Sequence, residues 1–248
     1  MPRDSAVTIV NIRPRLLGTY GDRGNALVLR HRLVARGFDA VVLDLDGSAV
    51  VPNAADLILF GGGEDSPQQQ VARDEPLRRS VEAAVAAGAG VLAVCAGFQV
   101  LGSSFAGSDG TPVAGFGLLD CVSTRLPRRA VGELLVQPSD LSVGVLTGFE
   151  NHLGRTDLGE SASPLGSVVS GVGNDGEGHE GAVCGRVIGT YLHGPVLARN
   201  PDLADLLLER VVGPLNALDD ALVEQLRAER LSAVAPRRWR FRRGRRRG

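Results

Sequence analysis

Lysine is absent from the 248 residues, and all 27 basic side chains are arginine. A phosphate-binding loop of the Gly-x-x-x-x-Gly-Lys-[Ser/Thr] type therefore has no place here, and any ATP chemistry must be handled elsewhere. Aromatic residues make up only 4% of the composition, so a core must be assembled from valine, leucine and alanine. Cys95, Cys121 and Cys184 are an odd number of cysteines without the spacing of a disulfide framework. No cysteine or histidine recurs at zinc-ligand spacing, so neither a metal nor a cofactor is expected in this chain. No basic segment leading into a short apolar stretch opens the sequence, which argues against a secretory signal. The run of 16 residues without a polar side chain from Ala83 to Phe98 is shorter than the roughly 20 that a membrane-crossing helix needs, and Gly88 and Gly90 interrupt it. A cytoplasmic location is the expectation.

What is present reads as one α/β domain over residues 1–235, with 44% hydrophobic and 22% charged residues. Strands are expected at Val7–Ile12, Asp39–Leu45, Asp56–Phe60, Val91–Val94 and Gly185–Tyr191. Helical periodicity runs over Ala26–Ala35, Asp74–Ala87, Pro201–Val212 and Ala217–Ala228. Strands alternating with helices predict a mostly parallel sheet with helices on both faces, whose sites gather at the carboxyl ends of the strands. Leu118–Glu150 reads as short, partly antiparallel strands and turns, and the glycine-rich stretch Ser161–Gly181 as loop and hairpin turns.

Three stretches carry candidate chemistry. Val91-Leu92-Ala93-Val94 is a buried-strand run that meets Cys95-Ala96-Gly97 and then resumes at helical spacing, the pattern of a nucleophile elbow. The Ala96 N–H would then face a developing oxyanion, and the helix N-terminus would favour a thiolate. A lone cysteine after a strand is otherwise a buried core residue. Phe60-Gly61-Gly62-Gly63 is either a flexible turn or, through Gly62 and Gly63, the second half of an oxyanion hole. Thr190-Tyr191-Leu192-His193 ends a late strand with a histidine that could act as general base. Phe149-Glu150-Asn151-His152 is dense in polar groups, so a second base or a metal has to be weighed there.

Cys95-Ala96-Gly97-Phe98-Gln99 resembles the nucleophile motif of class I glutamine amidotransferases, and the resemblance implies a flavodoxin-like fold, Gln99 near the substrate and His193 as the base. Many members carry a glutamate two residues after that histidine, where this chain has Pro195. The orienting acid must then be absent, arrive from elsewhere in the chain, with Glu150 as first suspect, or come from a partner. Tyr20-Gly21-Asp22-Arg23-Gly24-Asn25, Gly61-Gly62-Gly63, the Cys95 motif, Gly148-Phe149-Glu150-Asn151-His152 and Tyr191-Leu192-His193-Gly194-Pro195 together resemble the glutaminase-subunit (GatD) family of lipid II isoglutaminyl synthases. That likeness implies L-glutamine as substrate, Arg129 (or its neighbour Arg128) as the residue binding it, and a heterodimer with a Mur-ligase-like synthetase subunit (MurT). The partner would amidate the D-glutamate α-carboxylate of lipid II. Amidation of another acceptor, such as a cobyrinate, and a non-catalytic regulatory domain on the same fold are the alternatives. The tail from Pro236 to Gly248 holds eight arginines and no acid. It is expected either to be a solvated, disordered tail or to touch anionic lipid at the inner face of the membrane. Nucleic acid would attract it too, but is not an expected partner.

Overall fold

The computed structural model describes residues 5–139 and 141–234. The arginine-rich tail, and with it the expected boundary at 235, lies outside them. The chain runs β1 (Val7–Ile12), α1 (Gly24–Val34), β2 (Ala40–Leu45), β3 (Leu57–Phe60), α2 (Asp65–Ala72), α3 (Glu75–Ala86), β4 (Gly90–Val94) and α4 (Ala96–Leu101). It continues through β5 (Ser104–Ala106), β6 (Pro112–Ala114), β7 (Cys121–Pro138), β8 (Leu146–Leu158), β9 (Gly166–Ser170), β10 (His179–Glu180), β11 (Ala182–Cys184) and β12 (Val187–Thr190). Helices α5 (Val196–Arg199), α6 (Pro201–Val212) and α7 (Ala221–Val234) follow.

The central sheet has the order β11-β12-β4-β3-β1-β2, parallel throughout except for β11 on β12. Every residue of β3 and β4 is buried, as the uninterrupted apolar sequences Leu-Ile-Leu-Phe and Gly-Val-Leu-Ala-Val require of strands covered on both faces. Helix α1 packs with α5 and α6, and α4 with α2. Asp74 caps α3 by accepting a hydrogen bond from the Leu77 amide, with Pro76 in the first turn.

A second sheet, β10-β9-β7-β5-β6 with β8 also on β7, departs from the sequence expectation. Where short strands were expected, β7 and β8 form one long antiparallel pair. Pro127 cannot donate to the ladder, and a register shift between Arg125 and Ala130 absorbs it, with Arg128 and Arg129, as a bulge. The glycine-rich stretch contains β9 and β10. Helix α2 is too polar to show a periodicity, since it buries only Gln68 and Val71. One apolar cluster, from Ile9 and Phe60 through Val91 to Leu134, Val136 and Leu146, joins the two sheets. Their junction lies at the carboxyl ends of the parallel strands, where Phe149 of β8 pairs with His193.

Candidate active site

Strand order brings four loops together. His193 follows β12, Cys95 follows β4, the Gly61–Gly63 loop follows β3 and Asp22 lies after β1, and these four strands are consecutive neighbours in the sheet. Parallel strands all end on the same edge, so each turn delivers its groups to one place.

Cys95 holds the strained backbone of the elbow, with φ 52° and ψ −107°. A non-glycine residue in that region costs on the order of 1–3 kcal/mol, which the packing on either side must offset. Val94 is locked in the sheet against Thr190, and the Gly97 amide donates to the Gly61 carbonyl at 3.1 Å. A Cβ on Gly97 would stand 2.5 Å from the Cβ of Phe60, so only glycine lets α4 start this close to β3. The thiol remains at the surface of a cavity, with Cys95 9% exposed.

Behind the thiol, the His193 and Asp22 side chains are fully buried. His193 Nδ1 lies 3.1 Å and 3.3 Å from the two Asp22 carboxylate oxygens. This leaves Nε2, which is buried and has no hydrogen-bond partner among the described residues, for the thiol. Burial on its own lowers the imidazole pKa, but the Asp22 carboxylate and the nearby Cys95 outweigh it and raise the value to about 9. Phe149 stacks on the ring at 5.2 Å and Tyr20 meets it edge-on at 4.9 Å. The site can therefore form a thiolate–imidazolium pair with a carboxylate behind it.

The acid corrects the sequence reading. Glu150, the first suspect, faces away from His193 and is saturated by the Val172 and Gly173 amides at 2.7 Å and 2.9 Å and by His152 at 3.3 Å. His152 stacks on Tyr191 and has both ring nitrogens engaged, Nδ1 with the Gly154 carbonyl and Nε2 with Glu150. Among the described residues no cluster of three His, Cys, Asp or Glu could hold a metal. Asp22 is visible in the sequence as the one acid in the glycine-rich turn Tyr20–Asn25, but its pairing with His193, 171 positions away, is not.

Gly62 is also corrected. Its amide donates to Asp22 Oδ2 at 2.8 Å and so steadies the carboxylate instead of facing an oxyanion. A Cβ there would lie 2.7 Å from His193 Cε1, which explains the glycine. Among the described residues the amides of Gly63 and Ala96 have no hydrogen-bond acceptor, and both residues border the cavity beside Cys95, so these amides are free to donate there.

The cavity measures about 100 Å³ and is walled by Tyr20, Gly63, Gln68, Cys95, Gln99 and Arg129, among others. Arg129 leaves the β7 bulge to reach Asn151 Oδ1 at 3.2 Å, and Asn151 donates to the Tyr20 hydroxyl at 2.5 Å. Arg128 does not line the cavity. Gln99 borders it, but its side chain is already bonded at both ends, to Gln68 and to Tyr191.

Glu180 fixes the approach to His193. Strand β12 ends at Thr190, and beyond it Glu180 Oε1 accepts from the Thr190 hydroxyl at 2.9 Å and the Tyr191 amide at 2.7 Å. Burial pushes this carboxyl up to about 7 against those two hydrogen bonds, and the Glu150 charge adds to the rise. A folded-state value above the ordinary 4.5 means the folded chain holds a proton that the unfolded chain has lost. Stability therefore falls as pH rises from about 4.5 to about 7 and is level above that window. Glu180→Gln cannot titrate, so its melting temperature should gain on wild type between pH 5 and pH 8. The gain should be about 5–10 °C, at roughly 2–4 °C per kcal/mol for a domain of this size. A constant difference across that range would mean that Glu180 does not take up the proton.

Residues 8–201 match the CobB/CobQ-like glutamine amidotransferase domain. The chain is 34% identical over 209 residues to the subunit GatD of lipid II isoglutaminyl synthase (glutamine-hydrolysing) of Staphylococcus aureus, a match covering 82% of this chain and 84% of that protein. It is also 34% identical over 237 residues to the GatD subunit of Streptococcus pneumoniae, covering 90% of each. A crystal structure of a glutamine amidotransferase superposes with a TM-score of 0.57 at 19% identity, covering 82% of this chain and 98% of that one. The fold is that of the class I glutamine amidotransferases, with its mostly parallel central sheet.

Proposed function

The chain belongs to the CobB/CobQ-like glutamine amidotransferase family, and we propose that it acts as the glutaminase subunit of a lipid II isoglutaminyl synthase. The observation that carries the chemistry is the strained Cys95 with His193 and Asp22 behind it. Cys95 gives its proton to His193 Nε2 and attacks the side-chain carbonyl carbon of L-glutamine. The resulting oxyanion is held by the Gly63 and Ala96 amides. His193 returns the proton to the leaving nitrogen, ammonia departs, and a γ-glutamyl thioester remains on Cys95. Water, deprotonated by His193, then releases glutamate and restores the thiol.

Ammonia passes to a partner subunit, which we assign as a Mur-ligase-like synthetase (MurT) that activates the D-glutamate α-carboxylate of lipid II. Two observations support a separate synthetase: the relatives are each one subunit of a synthase, and this lysine-free sequence has no Walker-type phosphate loop. Reconstitution with that partner, ATP and lipid II tests the reading. Glutamine should support amidation, and its side-chain nitrogen, isotopically labelled, should appear in the product. Amidation from ammonium salts but never from glutamine would overturn it.

Arg129 is the residue we assign to the glutamine α-carboxylate, because it lines the cavity and Arg128 does not. A charge-assisted pair contributes about 1.5–3 kcal/mol, so Arg129→Ala should raise KM for glutamine roughly 10- to 150-fold. Arg128→Ala should stay within about twofold of wild type, as an exposed surface charge does. The reverse result in steady-state kinetics would move the assignment by one residue.

A further inference from the structure

Gln68 has a place in the site that the chemistry above does not use. It sits in the second turn of α2, is 4% exposed, and belongs to the helix that begins two residues after Gly63. Its Nε2 donates to the Gln99 side-chain oxygen at 2.7 Å and to the Ala96 carbonyl at 3.3 Å. A backbone carbonyl can only accept, so the Ala96 contact fixes which way the Gln68 amide is turned. Gln99 must then present its oxygen to Gln68 and its nitrogen to the Tyr191 hydroxyl, 3.1 Å away. The Tyr191 hydroxyl also pairs with that of Thr156 at 2.7 Å, and Thr156 with Ser123 at 2.8 Å. The orientation of both amides is thus set at the Gln68 end, and the chain of bonds runs from α2 through α4 to the strands of the second sheet.

We infer that Gln68 is a positioning residue for glutamine hydrolysis: from α2 it ties Ala96 to the Gly63 side of the oxyanion site and fixes Gln99 in one orientation. The inference rests on the glutaminase reading above. Gly63 N–H stands at the head of the Gln68 helix, and Ala96 N–H stands at the head of the helix whose first carbonyl Gln68 holds. The separation of these two amides must suit the tetrahedral oxyanion and not the planar amide of the substrate. A side chain that sets this separation acts on the transition state, and so on kcat more than KM. It does not touch the thiol–imidazole pair, which Asp22 and Gly62 support from the other side.

The test uses the full chain with its synthetase partner and three variants, Gln68→Met, Gln68→Ala and Gln68→Glu. Methionine keeps the length and volume but donates nothing, so Gln68→Met should lower kcat by about 10-fold or more, with KM within about threefold. Gln68→Glu should lower it at least as far, because its carboxylate meets two acceptors. Alkylation of Cys95 by iodoacetamide needs a thiolate but no oxyanion donors, and its rate should match wild type in all three. A wild-type kcat in Gln68→Met overturns the inference. So does an alkylation rate that falls in step with kcat, which would place the defect in the nucleophile or the fold. Failure of wild type itself to release ammonia from glutamine would remove the glutaminase reading and this inference together, whereas a normal Gln68→Met removes only the inference.

Discussion

Cys95→Ala is expected to bring ammonia release from glutamine down to background, a loss of roughly 10⁴-fold or more. Three properties single out this thiol. Its backbone is the only cysteine conformation with positive φ, it opens on the cavity, and His193 stands behind it. Cys121 has none of them: it is buried in β7 beside Asp120, and burial, with that charge adding, pushes its thiol up to about 12. Such a thiol supplies almost no thiolate near neutral pH. Cys184 lies in β11, on the outer edge of the central sheet and away from the four converging strand ends. Cys121→Ala and Cys184→Ala should therefore keep turnover within about twofold of wild type, as changes away from the site usually do. Glutamine-dependent ammonia release, with mass spectrometry for the γ-glutamyl thioester on the Cys95 peptide, reads both halves of the expectation. Normal turnover by Cys95→Ala would sink the assignment of the nucleophile.

The parts of this site that sequence makes legible are those written within a few residues of one another. A buried strand running into Cys95-Ala96-Gly97 spells an elbow, because the small residues and the strand-to-helix switch are adjacent. The glycines after β3 and the histidine after β12 are legible for the same reason. Asp22 is different. It pairs with a residue 171 positions away, and the pairing depends on β1 lying one strand beyond β3 in the order β12-β4-β3-β1. No local pattern encodes that order. The misreading of Gly62 has the same origin, since its amide is taken up by the carboxylate that local reading could not place. In β7, Pro127 and the two arginines after it break the alternation that would have revealed a long strand. Those residues form the bulge that sends Arg129 towards the cavity. The irregularity that hid the strand is what brings Arg129 to the cavity wall.

Asp22 also changes what the missing glutamate at Pro195 implies. With a carboxylate 3.1 Å from His193 Nδ1, the chain holds its own Cys–His–Asp set, and a partner need not supply an acid. The sharpest test is Asp22→Asn. Asparagine keeps the size of the side chain, and its oxygen can accept from both the Gly62 amide and His193 Nδ1, as Asp22 Oδ2 does at 2.8 Å and 3.1 Å. The imidazolium loses the negative charge that helps raise its pKa to about 9, so His193 holds the Cys95 proton less well. Loss of general-base function in this way is expected to lower kcat by about 10²–10⁴-fold with glutamine KM little changed. Asp22→Ala removes the acceptor for Nδ1 as well as the charge, so it should be the more severe variant of the two. The rate of Cys95 alkylation by iodoacetamide at neutral pH supplies a second readout, and it should fall in Asp22→Asn, where His193 has lost the charge that helps raise its pKa to about 9. If Asp22→Asn turns over glutamine and is alkylated at the wild-type rates, Asp22 does not support His193, and a carboxylate brought by the synthetase subunit becomes the required third member.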